Sequence, residues 1–492
     1  MIRRKVIAAW AGALLLMGTA GCQSPLMSLE TQVAKPDPAP VAAPDPAPAA
    51  STQAQETVPA VPVWRNPPSR WAVHNRRTQA LQQQVPASEI QQIPPQVVAT
   101  STASDKPIYV DSRGVSRVAV LLPLSGRHAR IGKAMRNAAQ LALFEFAGKS
   151  FELMFLDTGG SVDGAREAAV TAVSDGAALI LGPLLSESTR AAGAIAREAQ
   201  IPLVSFSSDA AAALPGVHIL GFRPETEVRR VVSYAASAGL RRFAVLAPSN
   251  HYGDRVVAEF RSVVADLGAE VSRVSRYGTS ADSYNDVIRD LADYDYRHQA
   301  LMEQRAQLEV RTDEVSQMTL KRLENLQTIG DPDFDALLVA DGGRRLQEVA
   351  ALLPYYDVDP KVVKMLGTGQ WDTQGIGVEP ALVGGWFAAA DPALRAGLMT
   401  RYEQTFGAKP PRLITLAYDA TALAAVLVRG AQDGPDYSDP TLTQPKGFIG
   451  TDGVFRLNAN GLGERGLAIM EVRERTNVIL DPAPQSFDDP AY

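Results

Sequence analysis

From residue 115 onward, two patterns of apolar residues alternate along the chain. Residues 116–124 (SRVAVLLPL) form a short, nearly continuous apolar run closed by Ser125-Gly126, and residues 131–146 then space their apolar side chains at helical intervals. The pair repeats as FELMFLD before a helix at 164–173, AALILGP before a helix at 188–199, and then IPLVSFS. A strand with one face in water alternates apolar and polar residues. These runs do not, so both faces must be covered, and with a helix between consecutive strands they predict a doubly wound parallel sheet. A second series follows: RRFAVLAPS, a helix at 254–267, AEVSRVSRY, FDALLVAD, a helix at 344–353 and VKMLGTG. The expected fold is α/β, with two doubly wound parallel-sheet lobes joined by a hinge near 234–240. Lobe 1 covers about 114–238 and 367–435, and lobe 2 about 239–366 and 445–475. An inter-lobe cleft is the default binding site of such an arrangement. Residues 476–492 read as a C-terminal tail.

The second series is interrupted at about 282–331 by residues that are mostly charged or polar good helix formers. Val287, Tyr294, Leu301, Leu308 and Val315 recur at seven-residue intervals, while His298, Arg305 and Thr312 occupy the other seam positions. A narrow apolar stripe of this kind predicts a long helix or a helical hairpin, either lying lightly on the second lobe or offered to a partner.

Before the first strand the composition changes. Arg3, Arg4 and Lys5 precede an apolar stretch at 6–17, and Gly18-Thr19-Ala20-Gly21 ends at Cys22. That is the order of a secretory signal at 1–22, too short in its apolar part to span a bilayer stably. Its last residues resemble a bacterial lipobox, although Thr19 stands where leucine is usual, and the resemblance implies lipidation at Cys22. Cys22 is the only cysteine, so an internal disulfide is impossible. Gln23 and Ser24 follow in place of an acidic residue, which by the same resemblance points to the outer membrane. Residues 23–113 are rich in Pro, Ala and Gln, with PDPAP twice, and hold too few large apolar side chains to offset ordering entropy. The expectation is a disordered tether spanning roughly 50 Å. A net charge of −6 gives no basis for phosphate neutralisation, so nucleic acid is excluded as a partner class.

Motifs for catalysis are weak. Asp157-Thr158-Gly159 matches the aspartic-protease triplet, but that chemistry shares one proton between two facing carboxylates and the chain has one copy, inside a parallel α/β unit. The triplet reads instead as a crevice loop at the carboxyl end of a strand. GLGERG (461–466) fits a dinucleotide fingerprint in letters but precedes the strand-like LAIMEV, not a helix, and reads as a turn. The five histidines show no metal-ligand spacing and no GxSxG elbow occurs. Neither an enzyme nor a cofactor is expected.

Several stretches, in order, are similar to type 1 periplasmic binding proteins of the leucine-binding class. VAVLLPLSGRHARIGKAMRNAAQLAL resembles their opening, ALILGPLLSESTRA their second loop, IPLVSFSSD their third and NHYGDR their Tyr-Gly loop. LAYDATALAA resembles a late helix and GTDGVFRLNANG the terminal hairpin. The resemblance implies a hinge crossed three times and closure on a ligand without chemistry. It implies ligand contacts at Ser125, Gly126, Ser186, Ser205, Ser207, Ser208 and Tyr252, with Asp157 in the crevice loop beside them. Two positions depart from amino-acid binders. Asp209 stands where a small hydroxyl residue usually holds the ligand carboxylate, and DGGRRLQ puts Arg344, Arg345 or Gln347 where an acidic residue holds the ammonium, with Asp341 as the possible substitute. The lipobox, tether, fold and charged insertion together resemble the penicillin-binding-protein activator family. That resemblance implies a noncatalytic, lipid-anchored periplasmic protein that regulates a peptidoglycan synthase through protein contacts. The alternative is the substrate-binding protein of an ABC transporter for amino acids or a similar small polar ligand.

Overall fold

The structure, a computed structural model, describes residues 110–111, 114–278, 282–430 and 435–488. Cys22, the signal pattern and nearly all of the Pro/Ala-rich stretch lie outside them.

In the first lobe β1 (Ser116–Leu122), β2 (Phe151–Asp157), β3 (Leu179–Leu181), β4 (Leu203–Ser205) and β5 (Val217–Ile219) make one parallel sheet in the order β2-β1-β3-β4-β5. The crossovers include α1 (Ala129–Phe146), α2 (Val162–Ser174) and α3 (Ser186–Glu198). Strand β1 shows why its residues are apolar throughout. Val118, Val120 and Leu122 face the core that holds α1, while Ala119 and Leu121 face the core under α2 and α3.

The second lobe begins with α4 (Pro224–Ser237) and continues through β6 (Arg242–Pro248), α5 (His251–Asp266) and β7 (Glu270–Tyr277) to α6 (Asp282–Leu291), α7 (Tyr294–Glu309) and α8 (Glu314–Leu323). Next come β8 (Ala336–Val339), α9 (Gly343–Tyr355), β9 (Lys364–Gly367) and β10 (Trp386–Ala389). The chain returns to the first lobe as α10 (Pro392–Phe406) and α11 (Ile414–Gly430), whose Leu398, Tyr402, Ile414 and Ala417 share the core of α1. The small sheet of β11 (Phe448–Gly450), β12 (Gly453–Leu457) and β13 (Gly463–Arg465) buries Phe448, Phe455 and Leu457 in that same core. Finally β14 (Ala468–Glu471) and β15 (Val478–Asp481) complete a seven-stranded sheet, β15-β14-β10-β9-β8-β6-β7, in which β14 runs antiparallel to both its neighbours.

Four boundaries differ from the sequence expectation. The hinge is first crossed at 220–223, not 234–240. The helix α4 belongs to the second lobe, where Tyr234 packs edge-to-face on Trp386 with ring centroids 5.1 Å apart. The second crossing falls at 390–391 and not 367, because Trp386 and Phe387 pair with Leu366 and Gly367 in the second sheet. The third crossing falls at 466–467, between β13 and β14, and not before 445, because Phe448, Phe455 and Leu457 pack in the first-lobe core. Residues 478–481 are an edge strand, not a tail, held by pairing to β14 and by Asp481, which accepts from Arg230 at 2.6 Å.

The interruption at 282–331 is three helices. Tyr284, Ile288 and Leu291 of α6 enter the second-lobe core. Helices α7 and α8 form a hairpin on the outside. The seven-residue stripe ends where the chain turns: Leu301 is buried and Leu308 half-buried, but Val315 is 70% exposed. Arg297 ties the hairpin down by donating to the carbonyls of Gly330 at 2.6 Å and Ala292 at 3.2 Å. Arg305 donates to the carbonyls of Leu323, Glu324 and Leu326 in the turn that ends α8.

Candidate functional site

The loops leaving the carboxyl ends of β1 to β4 carry the first-lobe candidates, and those leaving β6, β8 and β9 carry the second-lobe ones. Glycine permits these strand-to-helix turns. A Cβ on Gly132 would lie 2.1 Å from the Pro123 carbonyl oxygen, and one on Gly253 would lie 2.0 Å from that of Pro248. Each helix can therefore start against the loop that precedes it only without a side chain there.

Asp157 answers for its Asp-Thr-Gly triplet as a loop clamp. Its Oδ1 accepts the amides of Gly159 at 2.7 Å, Leu124 at 2.8 Å and Ser125 at 3.2 Å, binding two first-lobe loops to each other. Burial pushes this carboxyl up, but the Ser125 hydroxyl and those amides outweigh it and hold it below the usual carboxylate range. Ser125 and Gly126 are exposed beside it.

The serines of the third loop are committed internally. Ser205 is fully buried, with its hydroxyl 2.7 Å from that of Thr189, 3.0 Å from the Pro183 carbonyl and 3.0 Å from the Ser207 amide. Ser207 Oγ accepts the Asp209 amide at 3.1 Å. Asp209 itself accepts from the Ser186 hydroxyl at the start of α3, from the Ala211 amide at 3.0 Å and from Arg190 at 3.4 Å. Burial pushes the Asp209 carboxyl up; Ser186, the Ala211 amide and the charges of Arg255 and His251 more than reverse it.

On the second lobe, the Tyr252 hydroxyl lies 2.9 Å from that of Thr368, and burial drives its phenol well above the ordinary range, with Glu227 adding to the effect. Asp341 is buried, accepts from Tyr277 at 2.6 Å and from the Gly342 amide at 2.8 Å, and forms an ion pair with Arg345 at 2.9 Å. Arg344 is 90% exposed at the side chain and pairs with Glu348 at 2.8 Å. Helical spacing explains the difference, since Arg345 is one turn from Asp341 and Arg344 is on the next face.

The two sets of loops face each other. Arg255 on α5 donates through Nη2 to the Ser208 carbonyl at 2.5 Å, crossing from the second lobe to the first. The same guanidinium grips Glu225 at 2.7 and 2.8 Å. Reading NHYGDR for its tyrosine passes over this arginine, three residues further on. Its place on the cleft side of α5 is the only signal it carries.

A family model described as periplasmic binding protein matches residues 116–476. The chain belongs to that family. Periplasmic binding proteins generally bind without catalysis and work in the periplasm. Among solved structures, this periplasmic binding protein is similar in fold to a putative branched-chain amino acid ABC transporter protein from Rhodospirillum rubrum, at TM-score 0.59 and 18% identity over 74% of this chain and 99% of that one. An ABC transporter substrate-binding protein from Sphaerobacter thermophilus gives 0.55 and 18% over 77% and 100%. A solute-binding protein from Rhodopseudomonas palustris in complex with 3,4-dihydroxybenzoic acid gives 0.52 and 17% over 77% and 99%. No curated protein sequence is significantly similar.

Behind its cleft, this periplasmic binding protein carries a buried charge network that sequence reasoning missed. Asp452 is fully buried, pairs with Arg412 at 2.8 Å and lies 3.7 Å from Arg395. Arg395 and Arg412 also meet Asp372 of the second lobe. Glu227 accepts the Gly369 amide at 3.0 Å, and its burial raises its carboxyl to about 7. These residues are scattered through the sequence from 227 to 452, so no local spacing marks them. Among the described residues, no group of three or more His, Cys, Asp or Glu is arranged to hold a metal, and no helix is long and apolar enough to cross a membrane.

Proposed function

We propose that the protein is the substrate-binding component of an ABC-type uptake system, taking a small polar ligand between its lobes. The observation that carries this reading is the meeting of two sets of strand-end loops across a gap bridged by three backbone crossings, the geometry that grips and releases by hinge motion. Exposed Ser125 and Gly126, on the loop that Asp157 clamps, supply polar surface on one wall. Cys22 anchors the domain by lipid, most simply to the outer membrane, on the tether that precedes β1. The test is a thermal-shift screen of amino acids and aromatic carboxylates. A true ligand at a hundred times its Kd stabilises by about 2.7 kcal/mol, several degrees for a domain of this size. A screen with no shift from any of these classes counts against uptake.

A second reading, regulation of a peptidoglycan synthase through protein contacts, has one observation in its favour. The α7–α8 hairpin is anchored by Arg297 yet exposes Tyr296, Met302, Val310, Val315 and Met318. Replacing Val310, Val315 and Met318 with serine tests it without touching the core residues of α6. Loss of synthase stimulation at unchanged Tm supports regulation, and full stimulation removes the hairpin from consideration.

A further inference from the structure

We propose that Arg255 is a built-in latch that holds the lobes together without a ligand, and that Asp209 is a resident carboxylate filling the anion seat at the start of α3.

The latch is a single side chain with contacts on both sides of the gap. Arg255 is held on its own lobe by the two-pronged grip on Glu225, which fixes the plane of the guanidinium, and its remaining reach goes to the Ser208 carbonyl of the opposite lobe. Glu225 is itself steadied by Arg223 at 3.6 Å, beside the first hinge crossing. A flexible lysine at 255 could not satisfy both carboxylate oxygens and the carbonyl with one fixed fork.

The seat is adjacent. Ser208 precedes Asp209, whose carboxylate gathers the Ser186 hydroxyl, the Ala211 amide and the Arg190 guanidinium. The hydroxyl at the start of α3, the amide of the short turn at 210–212 and a guanidinium together form a donor set that suits a carboxylate. Here the chain supplies that carboxylate from one residue past the latch contact. A ligand carboxylate aimed at this wall meets donors already in use, so any carboxylate the wild-type cleft takes is held by other donors. The inference goes beyond the functional reading above, because a self-latched domain follows whether it serves uptake or regulation.

The test uses the full-length chain with Cys22→Ser, in which no native thiol remains. Spin labels at Glu198→Cys on α3 and Ser262→Cys on α5 report the distance between lobes. The expected result without ligand is one narrow distance distribution, with Arg255→Gln shifting the balance toward longer distances by on the order of tenfold. Arg255→Lys is expected to give the same shift, more weakly. A broad distribution in the Arg255 parent, or an unchanged one in an Arg255→Gln protein of normal circular dichroism, overturns the latch. For the seat, sodium acetate is the probe: it is expected to raise the Tm of Asp209→Ser and not that of the parent. An equal response of the two proteins, or no response in either, overturns the resident carboxylate. A failed metabolite screen alters neither readout, so failure of the uptake reading and failure of the latch are separate results.

Discussion

Arg412 sits over the ring of Phe222, its guanidinium carbon 4.1 Å from the centroid, and Arg465 lies 5.0 Å from the same ring. Phe222 belongs to the first hinge crossing, Arg465 ends just before the third, and Arg412 lies on the segment that follows the second. One half-buried aromatic side chain therefore joins chain segments some 240 residues apart in sequence. Cation–π contacts of this kind contribute about 0.5–2 kcal/mol each.

Phe222→Ala is expected to cost about 2–4 kcal/mol, the sum of a half-buried ring and its two cationic partners. Phe222→Leu should restore the apolar part alone. Urea denaturation of both variants checks this; equal losses would mean that the arginines contribute nothing through the ring.

Asp452 is the carboxylate on which the arginines of the hinge depend. Burial pushes it up, yet Arg412, Arg465 and Arg395 hold it below the usual range. Its stabilisation is present above the unfolded value of 3.8 and is lost as pH falls through the lower folded value. Asp452→Ala leaves guanidinium groups buried without their counter-charge and should cost about 3–5 kcal/mol at neutral pH. A loss under 1 kcal/mol in equilibrium unfolding would show that water replaces it.

Glu227 has the opposite sign. Burial raises its carboxyl from 4.5 to about 7, so the protonated form suits the fold. The stability it contributes is complete below pH 4.5 and disappears as pH rises through about 7, a change on the order of 3 kcal/mol. Asp419, raised from 3.8 to about 6 by burial and by neighbouring Asp452, acts in the same direction. Glu227→Gln keeps an acceptor for the Gly369 amide and removes the titration. Its stability should exceed that of the parent at pH 8 and match it at pH 4. Parallel pH profiles for the two proteins would exclude Glu227 as the source.

Ser205→Ala should cost about 1–3 kcal/mol, since it leaves the Ser207 amide without its buried acceptor. Ser125→Ala, on the exposed loop, should change stability by less than about 0.5 kcal/mol. Thermal unfolding of the pair separates a buried hydroxyl that supports its loop from an exposed one that bonds Asp157 at the surface.

Much of the candidate site was legible as loops and not as contacts. The apolar run before Ser125 and the Asp-Thr-Gly-Gly turn placed both at the carboxyl end of one sheet, because strand and helix periods are local properties. Which hydroxyls are buried was not legible. Ser205 and Ser125 look alike in sequence, and only the packing of β4 against the start of α3 buries one and exposes the other. Arg344 and Arg345 are neighbours in the chain, yet only Arg345 reaches Asp341.

By itself the sequence determined two wound α/β lobes, the strand order of elements along the chain and the helical interruption, since each follows from the spacing of apolar side chains within a few turns. Tertiary structure alone decided where the chain crosses between lobes, that residues 478–481 close a sheet edge, and that Arg255 spans the gap. Those outcomes depend on pairing between segments far apart in the chain, where burial and charge compensation act through space and leave no local period.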